Sequence, residues 1–125
     1  MRILVDSHIA VWWLSDPQKL RSSARSAIAD PQHQVYLSAA SVWELSIKIA
    51  KGKLSMPLEF VEILEADGFL LLPITTQHAL ATSELPPHHN DPFDRMLVAQ
   101  ARVDGMMLAT SDDAIFDYDV SLLRS

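Results

Sequence analysis

The chain of 125 residues is close to the usual size of one domain, and 49% of its residues are hydrophobic, enough to close one core without covalent staples. Cysteine is absent, which excludes disulfides, thiolate metal sites and cysteine nucleophiles and leaves only oxygen or imidazole to hold a metal; this usage fits a reducing cytoplasm. The net charge of −6 argues against a broad electrostatic grip on nucleic acid, which rests on Lys and Arg neutralising phosphates, unless metal ions supply the positive charge locally.

The N-terminal run Ile3-Leu4-Val5 is ended by Asp6, far short of a signal-peptide core or a membrane span, so a soluble, cytoplasmic protein is expected. Residues 2–5 read as a short strand and 9–14 as the helix after it. Residues 22–29 form a second amphipathic helix closed by Asp30-Pro31, and Val35-Tyr36-Leu37 is a buried strand between turn formers. A helix over 40–51 stops at Gly52, and another runs from Pro57 to Asp67-Gly68. Leu70-Leu71-Leu72 is strand-like, 77–85 helical, and Pro86 to Pro92 a surface loop. A striped helix over 93–103 is stopped by Asp104-Gly105; a strand over 106–109, a short helix over 112–116 and a strand over 120–122 close the chain.

Continuous apolar strands alternating with helices indicate a parallel sheet covered on both faces. No linker, low-complexity stretch or repeat divides the sequence. The expected architecture is one domain over 1–125, a three-layer α/β/α fold with a central, mostly parallel sheet of about five strands, whose ligand sites lie at the carboxyl ends of the strands.

Four acids stand out against that frame. Asp6 directly follows the first strand, and Asp112 follows Met107-Leu108-Ala109 after two residues, which puts both on the carboxyl-end rim. Glu44 lies one turn into the helix after the strand at Val35, and Asp94 lies in the first turn of the helix after Pro92. Each also has a local explanation, since acids suit the first turn of any helix. Ser41-Val42-Trp43-Glu44 has the form of a capping box, Asp91-Pro92 that of a cap followed by the first helical residue, and Asp112 can cap the helix it opens. Local capping does not require the acids to converge. Carboxylates gathered on one rim repel one another and raise their own pKa values unless a cation neutralises them, which points to a divalent metal; with oxygen ligands alone, that is magnesium or manganese. Such a site suits phosphodiester cleavage, which needs an activated water and cations against the developing charge. Hydroxyls at Ser7, Thr110 and Ser111 stand beside these acids, as helix caps or to orient a water.

Four segments, in order, resemble the blocks of PIN-domain proteins of the VapC toxin type: Leu4-Val5-Asp6-Ser7-His8, the stretch from Ser38 through Trp43-Glu44 to Lys48, the stretch from His89 through Asp94-Arg95 to Ala101, and Leu108-Ala109-Thr110-Ser111-Asp112. The resemblance spans essentially the whole chain. It implies a magnesium- or manganese-dependent ribonuclease in which Asp6, Glu44, Asp94 and Asp112 bind metal and cleave RNA by hydrolysis. It also implies a homodimer and a cognate VapB-like antitoxin whose C-terminal segment wraps the toxin. Asp91 and Asp113 receive no role.

Trp12, Trp13 and Trp43 offer an apolar groove for such a segment, against the simpler reading that they belong to the core. His88 and His89 sit in a Pro-rich loop where solvent exposure is the simpler reading than metal ligation. Lys48, Lys51 and Lys53 form the one basic run and suit an RNA backbone, while Lys48 also stands four residues after Glu44, the spacing of a helical ion pair. Two other acidic phosphate sites fit poorly. A phosphoacceptor receiver domain needs a lysine near its last strands, where this chain has none, and a haloacid-dehalogenase-like phosphatase needs an acid where His8 stands. The remaining alternative is a PIN-like binding or scaffolding module without catalysis, its acids serving as caps.

Overall fold

The computed structural model describes residues 1–88 and 90–125. Five strands, β1 (Arg2–Val5), β2 (Gln34–Ser38), β3 (Leu70–Leu72), β4 (Met107–Thr110) and β5 (Leu122–Arg124), form one sheet in the order β3-β2-β1-β4-β5. Every pairing is parallel, and Val5 is flanked by Leu37 on one side and Ala109 on the other. Among the described residues six α-helices cover the sheet: α1 (Ser7–Ser15), α2 (Ser22–Ala29), α3 (Ala39–Ala50), α4 (Phe60–Ala66), α5 (Thr76–Thr82) and α6 (Pro92–Asp104).

Alternation along the strands divides the core in two, because successive side chains leave opposite faces of a sheet. Ile3, Val5, Val35 and Leu37 pack with Ile9, Ile28, Leu45, Phe60 and Leu64 on one face. Leu4 and Leu108 pack with Leu97, Val98 and Ala101 of α6 and with Ile115 and Tyr118 on the other. Both faces are therefore buried, and the strands read as unbroken apolar runs. This is the expected three-layer α/β/α arrangement. Among the described residues no helix is long and apolar enough to cross a membrane.

Several helix ends depart from expectation, and at two starts the reason is a side-chain cap. The Asp6 carboxylate accepts the Ile9 amide at 2.9 Å, so α1 begins at Ser7, two residues early. Ser38 accepts the Ala40 amide at 3.0 Å and starts α3 at Ala39. That cap lies three residues ahead of Ser41, so Ser41 to Glu44 is not a capping box. Residues 57–59 form a turn closed by the Phe60 amide on the Pro57 carbonyl at 3.1 Å, and α4 starts only after it. Beyond Thr82 the chain continues in short turns, with the Leu85 amide on the Thr82 carbonyl at 3.3 Å. The expected helix over 112–116 is a single 3-10 turn at Ile115–Asp117, and leaving it delays β5 to Leu122. At α6 the expectation holds: Asp91 caps it, Pro92 is its first residue, and Gly105, at φ 65°, ends it in the left-handed conformation that glycine adopts without strain.

Candidate functional site

Chain order reverses between β1 and β4: from β1 the sheet grows one way through β2 and β3, and the other way through β4 and β5. A parallel sheet opens a crevice at such a point, outside the carboxyl ends of its strands. Asp6 leaves β1 there, its amide bonded to the Ala109 carbonyl at 3.0 Å, and Thr110 ends β4 beside it.

Asp6 is only 2% exposed. One carboxylate oxygen accepts the Ile9 amide, and the other accepts the Thr110 hydroxyl. The same Thr110 oxygen accepts the Asp112 amide at 3.0 Å, and Asp112 Oδ1 accepts the Ala114 amide at 3.0 Å. Thr110 thus ties the two acids of the rim to each other. Burial pushes the Asp6 carboxyl above its ordinary value of 3.8. The Thr110 and Ile9 hydrogen bonds and the nearby His8 pull it back, while the charge of Asp112 adds to the rise.

Glu44, 8% exposed, points from α3 toward the start of α1, where Oε1 accepts the Ser7 hydroxyl at 2.8 Å. Its Oε2 pairs with Lys48 at 3.3 Å, one turn on, as the four-residue spacing suggests. Asp94 occupies the first turn of α6, where its amide and that of Phe93 donate to Asp91 at 3.4 and 2.8 Å. Trp43 meets Phe93 edge-on, ring centroids 5.1 Å apart and planes at 77°, so the segments carrying Glu44 and Asp94 touch. Between them lies a cleft of about 480 Å³ bordered by Glu44, Lys48, Lys51, Lys53, Asp91 and Phe93.

Strand ends and helix starts carrying all four acids therefore converge, but their oxygens do so less than expected. Among the described residues, no group of three or more His, Asp or Glu side chains stands at the spacing of metal ligands. The carboxylates are held instead by Thr110, Ile9, Ser7, Lys48 and Ala114. The donor set, carboxylate oxygens alone, suits a hard divalent cation. The buried Asp6 beside Asp112 is the kind of charge such a cation relieves.

Ser7 and Thr110 bond to acids rather than capping helices. Trp12 and Trp13 are half-buried and pack on the core, whereas Trp43 is exposed. His88 stacks edge-on against Tyr118 at 5.1 Å, and His89 lies outside the described residues. Asp113 is exposed. Gln100 was missed in the sequence: wholly buried, it accepts the Ser38 hydroxyl at 2.6 Å and donates to the Pro73 carbonyl at 3.3 Å. Its signal was a lone amide inside Leu97-Val98-Ala99-Gln100-Ala101. Arg95 was also missed; it gathers the carbonyls of Thr82, Leu85 and Pro86 and the Tyr118 hydroxyl.

The PIN domain family model matches residues 3–120. Ribonuclease VapC22 of Mycobacterium tuberculosis is 30% identical over 113 residues, covering 88% of this chain and 86% of that protein. Among solved structures, VapBC2 from Rickettsia felis, bound to a promoter DNA fragment, aligns with a TM-score of 0.78 at 13% identity, covering 99% of this chain and 98% of that one. VapBC-1 from nontypeable Haemophilus influenzae aligns at 0.70 and 19% identity over the same shares. A family model spanning nearly the whole chain, a relative aligned along most of both lengths and a fold shared with solved structures agree: the chain belongs to the PIN domain family, of the VapC type.

Proposed function

We propose that the protein is a metal-dependent endoribonuclease that hydrolyses RNA phosphodiester bonds, the toxin of a VapBC-type toxin-antitoxin pair. The observation that carries the reading is the pair Asp6 and Asp112 at the switch point of the sheet, one of them buried, held together through Thr110. The relative named ribonuclease and the fold shared with VapBC structures support it. So does the cytoplasmic setting that a cysteine-free chain fits.

In this reading Asp6, Glu44, Asp94 and Asp112 hold magnesium or manganese. When bound, the ion supplies positive charge against the phosphate and the leaving oxygen and lowers the pKa of a water. The chain's own groups orient the acids. Thr110 fixes Asp6, and Ser7 fixes one oxygen of Glu44. The other oxygen of Glu44 is shared with the half-exposed Lys48 and is the more easily released. Both oxygens of Asp6 and of Glu44 accept protein bonds, and each oxygen has a second lone pair to offer an ion. The partners are RNA, a VapB-like antitoxin and a second copy of the chain.

The test is cleavage of unpaired and structured RNA by partner-free protein in magnesium or manganese. Asp6→Asn and Asp94→Asn should each lower cleavage by at least about 100-fold, since even outer contacts of metal ligands are worth 10- to 100-fold. Equal activity in chelator or in those variants overturns the reading. A second reading, a binding module without catalysis, has one observation in its favour: Asp6, Asp91 and Asp112 all cap local backbone. It requires that no RNA be cut with any divalent metal.

A further inference from the structure

Trp43 is 62% exposed, yet it stands one residue before Glu44 on a helix whose other face is packed. An indole on a surface usually has an apolar body to bury, and here the edge-on ring of Phe93 supports it. Beside the pair lies the cleft of about 480 Å³ bordered by Glu44 and by Lys48, Lys51 and Lys53. Positions 44, 48 and 51 repeat at helical spacing, so one face of α3 runs from an acid of the candidate site through Lys48 to Lys51, the residue just past its end. Three of the chain's four lysines line this cleft on a protein of net charge −6. Concentrated cations beside a supported aromatic face match a phosphate backbone with unstacked bases, the combination that single-stranded nucleic-acid sites use. A duplex hides its base faces and has no use for the ring.

We propose that Trp43, backed by Phe93, is the stacking platform for a base next to the scissile phosphate of an unpaired RNA strand, with Lys48, Lys51 and Lys53 holding the flanking phosphates. The proposal rests on the ribonuclease reading and gives that site its substrate class. A strand whose phosphate reaches the acids continues past Glu44 directly into the lysine-lined cleft.

The test uses the full chain carrying Asp94→Asn to silence cleavage, and anisotropy of a labelled unpaired RNA oligomer in magnesium. Adding Trp43→Ala should weaken binding roughly 5- to 100-fold, the usual range for one stacked base, and Trp43→Phe should restore most of it. The same oligomer with an abasic nucleotide at the stacked position should bind weakly and ignore Trp43→Ala. Lys51→Ala with Lys53→Ala should lower the salt slope by about 1.4, two phosphates' worth for a single strand. Unchanged affinity in Trp43→Ala overturns the platform, as does equal weakening for duplex and unpaired RNA. So does a loss confined to an acidic peptide, which would make the cleft a protein-docking surface. Cleavage by the parent protein is scored alongside: RNA left uncut in every metal sinks the ribonuclease reading, whereas cleavage with unchanged KM in Trp43→Ala sinks the platform alone.

Discussion

Asp6 and Thr110, 104 positions apart in sequence, are joined by a hydrogen bond from the threonine hydroxyl to the buried carboxylate, across the ends of adjacent strands. The same hydroxyl oxygen receives the Asp112 amide. One small side chain therefore bonds both to a buried carboxylate and to the backbone that carries the second acid. Thr110→Val keeps the shape and removes both bonds. It should cost about 1–3 kcal/mol in urea unfolding, the usual penalty for a stranded buried polar group, while Thr110→Ser stays near the parent. A valine variant as stable as the parent would show that the hydroxyl is not needed there.

The direction of the Asp6 shift sets a pH dependence. Its carboxyl in the folded protein sits above the ordinary 3.8, chiefly through burial. The folded state therefore keeps its proton after the unfolded chain has lost it, and stability falls as pH rises from about 3.8 through the folded-state value. Above that window the ionised, metal-free Asp6 is a standing cost. Asp6→Asn should accordingly raise the Tm of chelator-treated protein at neutral pH, with the difference vanishing on acidification toward the ordinary aspartate range. In manganese the order should reverse, because only the parent retains the proposed Asp6 ligand. A parent Tm above that of Asp6→Asn in chelator at neutral pH contradicts this account.

What the sequence disclosed depended on the range of the interactions involved. The strands at residues 2–5 and 70–72 and the helix over 22–29 were legible to the residue, because apolar period and turn chemistry act within a few positions. Asp6 and Asp112 could be placed on one rim because the first directly follows a strand and the second comes within three residues of one. For Glu44 the local alternative, half of a capping box, does not hold, because Ser38 is the cap. The real partners of Glu44 are Ser7, 37 positions away, and Lys48, and only the first of these lay beyond local reasoning. Gln100 bonds to Ser38 from 62 positions away, a pairing no local pattern encodes. The bonds of Thr110 to Asp6 and of Ser7 to Glu44 are likewise tertiary, whereas those of Ile9, Lys48 and Ala114 are local, and the orientation of the oxygens depends on both sets, so no local pattern discloses it.

Lys48 occupies an oxygen of Glu44 that the proposed metal would need. With its side chain 37% exposed, the pair adds little stability, and Lys48→Met should change unfolding by no more than about 0.5 kcal/mol. Removing the ammonium also removes a competitor for the carboxylate. Manganese binding measured by calorimetry, without RNA, should tighten by up to about fivefold. Weaker binding in that variant would mean that Lys48 orders Glu44 for the metal rather than competing with it.

Gln100 joins three parts of the fold through one buried amide. From the middle of α6 its amide reaches the Ser38 hydroxyl and the Pro73 carbonyl, and Ser38 in turn caps α3, the helix that carries Glu44. Gln100→Leu fits the volume but takes a donor from Pro73 and an acceptor from Ser38. A cost of about 1–3 kcal/mol follows from stranding those groups, and it should appear as a lower urea midpoint. The Ser38 hydroxyl still accepts from Ala40 in that variant, so α3 keeps its cap and its helical signal. Gln100→Glu separates the two halves of the network, since a carboxylate can accept from Ser38 but offers Pro73 no proton. It should lie below the parent at neutral pH and recover as acidification protonates it. If both variants unfold at the parent's urea concentration, the amide is only a space-filling residue and the position of α3 is set by apolar packing alone.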